Sequence, residues 1–347
     1  GRVGVCAGAY AGRGRRLAGA LTGFDSGVIF DTTIDKCPNP PHGPNSATLA
    51  AQTQKIMTSH KTAIRHIWTG AIALAASTLL IAPARGGSLK ESEIGLQLYS
   101  LRAQFQADPM GTFDKVESFG VKNVELAGTY QLNPIQFRHR LDAHGLVAIS
   151  GHFPFERLRD DPEGVAKDAK TLGLKYVGCA WIPHSEPFDE KTCRQGAAVF
   201  NHAGAVMATN GLSFFYHAHG YEFQPYQDGT LFDLLMHETS PKYVHYQMDV
   251  FWIVHAGQDP VKLLEKYGHR WQLMHLKGMR DSTPTGLLTG HSDVTNDVAV
   301  GQGKIDYVPI LREGKKIGIK YFIIEDESPV SEQQIPQSLE YLKTVKF

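Results

Sequence analysis

The sequence predicts an α/β chain folded as a (β/α)8 TIM barrel, and three observations carry that prediction. Short apolar, β-branched or aromatic runs recur eight times after Ser88. Helix-like stretches separate them, several opened by Asp-Pro or Asn-Pro and closed by Gly, the signals for a capped start and stop. Most of the runs end in His, Asp or Glu, which a strand that only fills a core has no reason to do.

In chain order, residues 1–56 come first. They are rich in Gly, Ala, Arg, Pro and Thr, lack a period and include "CPNPPHGPNS", so they read as disorder or a non-native upstream extension. Met57 then opens a basic stretch with Lys61 and Arg65, an apolar run covers 67–81, and Ala82-Pro83-Ala84 forms an A-x-A cleavage site. These are the parts of a secretory signal peptide over 57–87. The run is shorter than the ~20 residues of a membrane-spanning helix, and an uncleaved N-terminal anchor is the rival reading. Either one exports the domain at 88–347 to the periplasm or the exterior, with membrane contact only through such an anchor.

The eight runs are "IGLQLYSL" (94–101), "KNVELA" (122–127), "LVAISGH" (146–152), "KYVGCAWI" (175–182), "LSFFYHAH" (212–219), "VHYQMDV" (244–250), "WQLMHLK" (271–277) and "KYFIIEDE" (320–327). Helical segments end at Gly120, Gly145, Gly173, Gly211 and Gly268. Eight βα units in this length fit a barrel of ~250 residues. A doubly wound open sheet is the runner-up. It would carry a glycine-rich phosphate turn after its first strand, where this chain has "LYSLRAQF".

The chain has 347 residues, 42% hydrophobic content and a formal net charge of zero, so it lacks the basic excess of a nucleic-acid partner. Its four cysteines form no C-x-x-C pair, which argues against a thiolate zinc site, and Cys179 and Cys193 read as free thiols. In a barrel the active site lies at the C-terminal ends of the strands. Those ends carry Glu125, His152, His217 with His219 and Glu222, Asp249, His275 with Lys277, and Glu325 with Asp326 and Glu327; strand four carries Trp181, with His184 beyond. Carboxylates crowded into one pocket repel, so a cation is their simplest partner. Mixed His and carboxylate donors suit Mn²⁺, Zn²⁺, Co²⁺ or Fe²⁺, with Mg²⁺ also open.

The motifs "GLQLYSLR", "VELAG", "SGHF", "YHAHGYEF", "MDVFWIVHAGQDP", "MHLKGM", "GQGKIDY" and "FIIEDES", in this order, resemble the sugar phosphate isomerase/epimerase superfamily, the xylose isomerase-like TIM barrels, over residues 93–345. The resemblance implies one divalent metal ion held by a strand-four carboxylate and by Asp249, His275 and Glu325. Strand four departs, because "YVGCAWIP" has no carboxylate; Glu222 is expected in its place, with His219 or a water as alternatives. Gly278 is a second departure, standing where the family has Asp. The implied reaction is enolisation beside a carbonyl of an unphosphorylated sugar or sugar derivative. Glu125 and His152 are the expected base and its partner, and Lys277 the group that steadies an oxyanion. His217, His219, Trp252 and Phe153 are expected to bind the carbohydrate substrate.

Three functions compete at this stage. The first is a metal-dependent sugar isomerase or epimerase. The second is a lyase or hydratase on 3-keto-sugars or 3-keto-glycosides using the same site. The third is a non-catalytic sugar-binding module, to which the missing strand-four carboxylate lends weight. An endonuclease IV-like repair enzyme would need more zinc ligands and a basic face. The segment 278–303, polar and with Asp281, His291, Asp293 and Asp297, is expected to be a lid or binding loop. Oligomeric state stays open, a homo-oligomer included.

Overall fold

The structure is a computed structural model that describes residues 87–347. The upstream extension and the signal segment proposed for 1–87 thus lie outside it, save for Gly87. Among the described residues no helix is long and apolar enough to cross a membrane.

Eight parallel strands close into a barrel: β1 (Ile94–Gln97), β2 (Asn123–Leu126), β3 (Val147–His152), β4 (Tyr176–Cys179), β5 (Ser213–His217), β6 (Val244–Asp249), β7 (Trp271–Leu276) and β8 (Tyr321–Ile324). Each pairs with its sequence neighbours, and β8 pairs with β1. Most strand residues are buried, as expected where barrel interior and outer helices cover the two faces.

Each strand is followed by a helix that returns the chain: α1 (Pro109–Ser118), α2 (Pro134–Ala143), α3 (Pro162–Leu172), α4 (Glu190–Thr209), α5 (Leu231–Glu238), α6 (Pro260–Tyr267), α7 (Tyr307–Ile317) and α8 (Ser331–Thr344). The Asp-Pro and Asn-Pro signals act as read. Asp108, Asn133, Asp161 and Asp259 each accept backbone N–H bonds in the first turn, with proline at the start of the helix. At the other end Gly173 takes φ +80°, the left-handed stop that a side chain would strain. Cys179 and Cys193 are both buried and unpaired.

The strands are shorter than the sequence runs, and this matters for the site. β1 stops at Gln97 because its side chain accepts from the Tyr99 N–H and turns 98–101 into a 3₁₀ segment. β5 stops at His217, leaving His219 in the following turn. β8 stops at Ile324, leaving Glu325 just past the strand. The register then sets Gln97 beside Glu125, Glu125 beside Ser150, His217 beside Gln247, and Asp249 beside His275.

Candidate active site and metal centre

A cavity of about 700 Å³ opens at the C-terminal ends of the strands. His152, Phe153, His217, His219, Trp252, Lys277 and Glu325 line it, as expected of them from sequence. Gly290, His291, Ser292, Val294 and Asp297 of the 278–303 segment line it too. That segment is seated on the barrel: Met279 pairs with Asp297 in a short antiparallel ladder, and the Gly286 N–H donates to the His255 carbonyl at 2.8 Å.

Four side chains converge at the floor. His217 Nε2 and His275 Nδ1 each lie 3.8 Å from Asp249 Oδ2, and His275 Nδ1 lies 3.4 Å from Glu325 Oε2. One donor atom from each of His217, Asp249, His275 and Glu325 falls within 4.8 Å of the others. Asp249 Oδ2 and His275 Nδ1 are buried without a hydrogen-bond partner. Buried polar atoms normally find partners, and a lone pair aimed at a shared point is what a cation requires. Two carboxylates would neutralise a divalent ion, and the two-imidazole, two-carboxylate set fits Zn²⁺, Mn²⁺, Co²⁺ or Fe²⁺ better than the oxygen-seeking Mg²⁺.

Three sequence expectations are corrected here. Glu222 does not reach the convergence point. It is fully buried, and its Oε1 accepts from the Tyr216 hydroxyl and, at 3.1 Å, from the His219 N–H. His217, expected among the substrate-binding groups, stands in the donor set instead. It ends β5 with its ring inward, whereas Glu222 lies past a left-handed turn at Gly220 that swings it away from the cavity.

Glu125 is the third expectation to change. Its Oε1 accepts from Gln97 Nε2 at 2.7 Å and from His275 Nε2; its Oε2 accepts from Ser150 Oγ at 2.6 Å and Gln247 Nε2 at 2.8 Å. Those four donors fill the roughly four lone-pair positions of a carboxylate. Burial pushes Glu125 up, but His152 and His275 outweigh it and hold it down at about 2. A saturated carboxylate of this kind orients its neighbours and cannot serve as a base. It also does not line the cavity.

What Glu125 orients is the rest of the site. By accepting from Gln247 Nε2 it turns the Gln247 amide oxygen toward two histidines. That oxygen accepts from His217 Nδ1 at 2.7 Å and from His152 Nε2 at 3.1 Å. This assignment leaves His217 Nε2 as a lone pair for an ion, His275 Nδ1 as the nitrogen an ion would take by displacing its proton, and His152 Nδ1 as a free basic nitrogen. Burial pushes His152 below its ordinary value, so it is neutral near pH 7. Lys277 is its counterpart. Burial opposes its charge, but Asp297, Glu325 and Glu327 outweigh burial and raise it well above normal, so it is an ammonium. Its Nζ lies 3.6 Å from Asp297 Oδ2 and 3.7 Å from Glu325 Oε2, with Glu327 in direct contact.

Gln97, Ser150 and Gln247 escaped the sequence reading, and Asp297 was named there only as part of the polar 278–303 segment. The first three are uncharged and sit inside strand runs; a polar residue inside "GLQLY" or two places before Asp249 in "HYQMD" was the available signal. The Gly278 departure also has a reason. A Cβ there would lie 2.1 Å from the Val298 carbonyl oxygen, so the segment that brings Asp297 to Lys277 needs glycine at this point.

A family model described as xylose isomerase-like TIM barrel matches residues 113–345. A protein named inosose dehydratase from Clostridium botulinum (strain Alaska E43 / Type E3) is 29% identical over 220 residues, covering 56% of this chain and 73% of that protein. Another of that name from Geobacillus kaustophilus (strain HTA426) is 25% identical over 233 residues, covering 56% and 72%. Among solved structures, a sugar phosphate isomerase/epimerase from Parabacteroides distasonis ATCC 8503 superposes with a TM-score of 0.62 at 22% identity, covering 75% of this chain and 96% of that one.

Proposed function

We propose, on the premise that this chain belongs to the xylose isomerase-like TIM-barrel family, that it is a divalent-metal-dependent lyase acting on a neutral polyhydroxy ketone. The reaction is removal of a proton beside the carbonyl, followed by loss of an oxygen substituent one carbon further on. The observation that carries it is the pairing, on one cavity, of a neutral imidazole with a free nitrogen (His152) and a buried ammonium (Lys277). Elimination needs one base and one acid; epimerisation needs bases on two faces. The names of the two dehydratase relatives support the same choice.

His217, Asp249, His275 and Glu325 would hold the ion. When bound, a divalent cation supplies Lewis acidity to a carbonyl oxygen and offsets the negative charge that builds there. His152 Nδ1 accepts the proton from the carbon next to the carbonyl. Lys277 Nζ delivers a proton to the departing oxygen and is recharged through the carboxylates around it. The buried, unpaired Trp252 Nε1–H and His219 Nδ1 are free to bond substrate hydroxyls. Among the described residues Lys277 is the only Lys or Arg lining the cavity, and three carboxylates already claim it, which supports an unphosphorylated substrate. An unphosphorylated sugar or cyclitol ketone follows.

The sugar isomerase/epimerase reading shares the first proton transfer and diverges afterwards. The binding-module reading loses its main ground, since His217, Asp249, His275 and Glu325 make a four-donor set without a strand-four carboxylate. Export, resting on the sequence from Met57 to Ala84, remains part of the proposal and is tested by N-terminal sequencing of the secreted chain. For the reaction, the full chain is loaded with Zn²⁺ or Mn²⁺ and incubated in D₂O with inosose and with 3-keto-glucosides, followed by NMR. An unsaturated ketone with release of water or alcohol is expected. Deuterium at the neighbouring carbon with an epimer or isomer, and no elimination, would overturn the lyase reading in favour of the isomerase. A preparation that binds no divalent ion would sink both.

A further inference from the structure

The polar donors of the site gather at the strand ends, yet the cavity extends well past them. Phe153, Pro154 and Phe155 follow the last residue of β3, Trp181 lies beyond β4, and all line the cavity. Its volume of about 700 Å³ lies within the ~300–1,000 Å³ typical of sites for drug-sized ligands, which is more room than one polyhydroxy ring fills.

Trp181 is not a loose side chain on a loop. His184 stacks on it with ring centroids 5.0 Å apart, and Tyr221 abuts it edge-on at 4.7 Å. The Tyr221 hydroxyl accepts from the Ile182 N–H at 2.9 Å, fixing the backbone next to Trp181. Tyr221 in turn donates to the Tyr216 hydroxyl at 2.6 Å, and Tyr216 donates to Glu222. Each hydroxyl therefore passes its one proton along a buried chain that ends on Glu222. The covering segment is shaped to the same ring. Gly290 has φ +67°, and a Cβ there would come within 2.8 Å of Tyr221 and 3.1 Å of Trp181.

We propose that this end of the cavity is a second subsite, in which Trp181, braced by Tyr221, Tyr216 and Glu222, stacks on a further ring joined to the ring held over the metal donors. Strand four gives up a metal ligand and supplies a platform instead. Trp181 determines specificity, and Glu222 is a positioning residue acting through the two tyrosines. The occupant is a ring with a flat, apolar face, either aryl or glycosyl, since such faces stack on an indole. The inference rests on the proposed function only for the identity of the first ring.

The test is binding, with probes that lack a ketone and so cannot enolise. The metal-loaded full chain is titrated calorimetrically with methyl β-D-glucopyranoside, phenyl β-D-glucopyranoside and cellobiose. At least one two-ring probe is expected to bind about tenfold more tightly than the methyl glucoside. A preference confined to phenyl glucoside assigns an aryl ring, and one confined to cellobiose a glycosyl ring. Trp181→Ala should erase the preference and leave methyl glucoside affinity and metal content unchanged. Glu222→Leu should do the same, while Glu222→Gln, whose amide oxygen accepts the same two bonds, should retain it. Equal affinity for one-ring and two-ring probes, no measurable binding of any probe, or a preference that survives Trp181→Ala overturns the proposal. If Glu222→Leu does not fold, Trp181→Ala decides alone. Failure of the elimination reaction leaves this binding difference intact, so the two ideas fail separately.

Discussion

Glu125 and Asp249 are both fully buried carboxylates at the C-terminal ends of barrel strands, on β2 and β6, which lie opposite each other in the strand order. Their surroundings differ in one respect. Glu125 meets four donors and keeps no free lone pair. Asp249 accepts one bond, from the Trp252 N–H at 3.2 Å, and its other oxygen is left bare among His217 and His275. Burial pushes Asp249 up, to about 7, with Lys277 pulling the other way, whereas the histidines hold Glu125 at about 2. Both are buried carboxylates, and the count of nearby donors separates a scaffold carboxylate from a candidate ligand.

The largest test of that contrast is Asp249→Ala. It should abolish stoichiometric metal binding and lower kcat/KM by ~10⁴-fold or more, as loss of a Lewis acid implies, read by metal analysis and product NMR. His152→Gln comes next. Removing the base should cost about 10²–10⁴-fold in kcat while metal content stays at one ion per chain; loss of the metal instead would place His152 in the donor set.

Glu125→Gln should act through orientation alone. Metal affinity is expected to fall about 10–100-fold, measured by chelator competition, because a Gln cannot accept from all of its present donors. An effect as large as that of Asp249→Ala would erase the distinction between the two carboxylates.

The contrast also has a pH signature. Burial pushes His275 down, but Glu125 and Glu325 outweigh it and raise it to about 10. In the metal-free chain His275 therefore carries a proton below that pH, and an entering ion must displace it. Metal affinity should rise about tenfold per pH unit between pH 7 and 9, and more steeply below 7, where Asp249 also holds a proton. A flat profile would show that His275 is not a ligand. The smallest effect is expected from Glu222→Gln, which should change metal affinity less than twofold.

Much of this was legible in the sequence. The eight runs, the Asp-Pro starts and the glycine stops each report on local backbone preference, which holds whatever the chain later packs against. Asp249, His275 and Glu325 were legible because charged or titratable residues ending apolar runs are costly unless something needs them. Glu222 was misplaced for an equally physical reason. Its spacing from β5 was right, but the left-handed turn at Gly220 and the two tyrosine hydroxyls decide where its carboxylate goes.

By itself, then, the sequence determined the barrel, the end of it where the candidate site lies, and most of the groups gathered there, since these follow from periodicity and from polar residues at strand ends. Only the tertiary structure decided the partners. Register put Gln247 between Glu125 and two histidines, and so chose which nitrogens are free. Closure of the barrel brought β6, β7 and β8 together around one point and turned the strand-four end into an aromatic wall. Such choices depend on distances between residues about 25 to 150 positions apart, which no local pattern in the chain encodes.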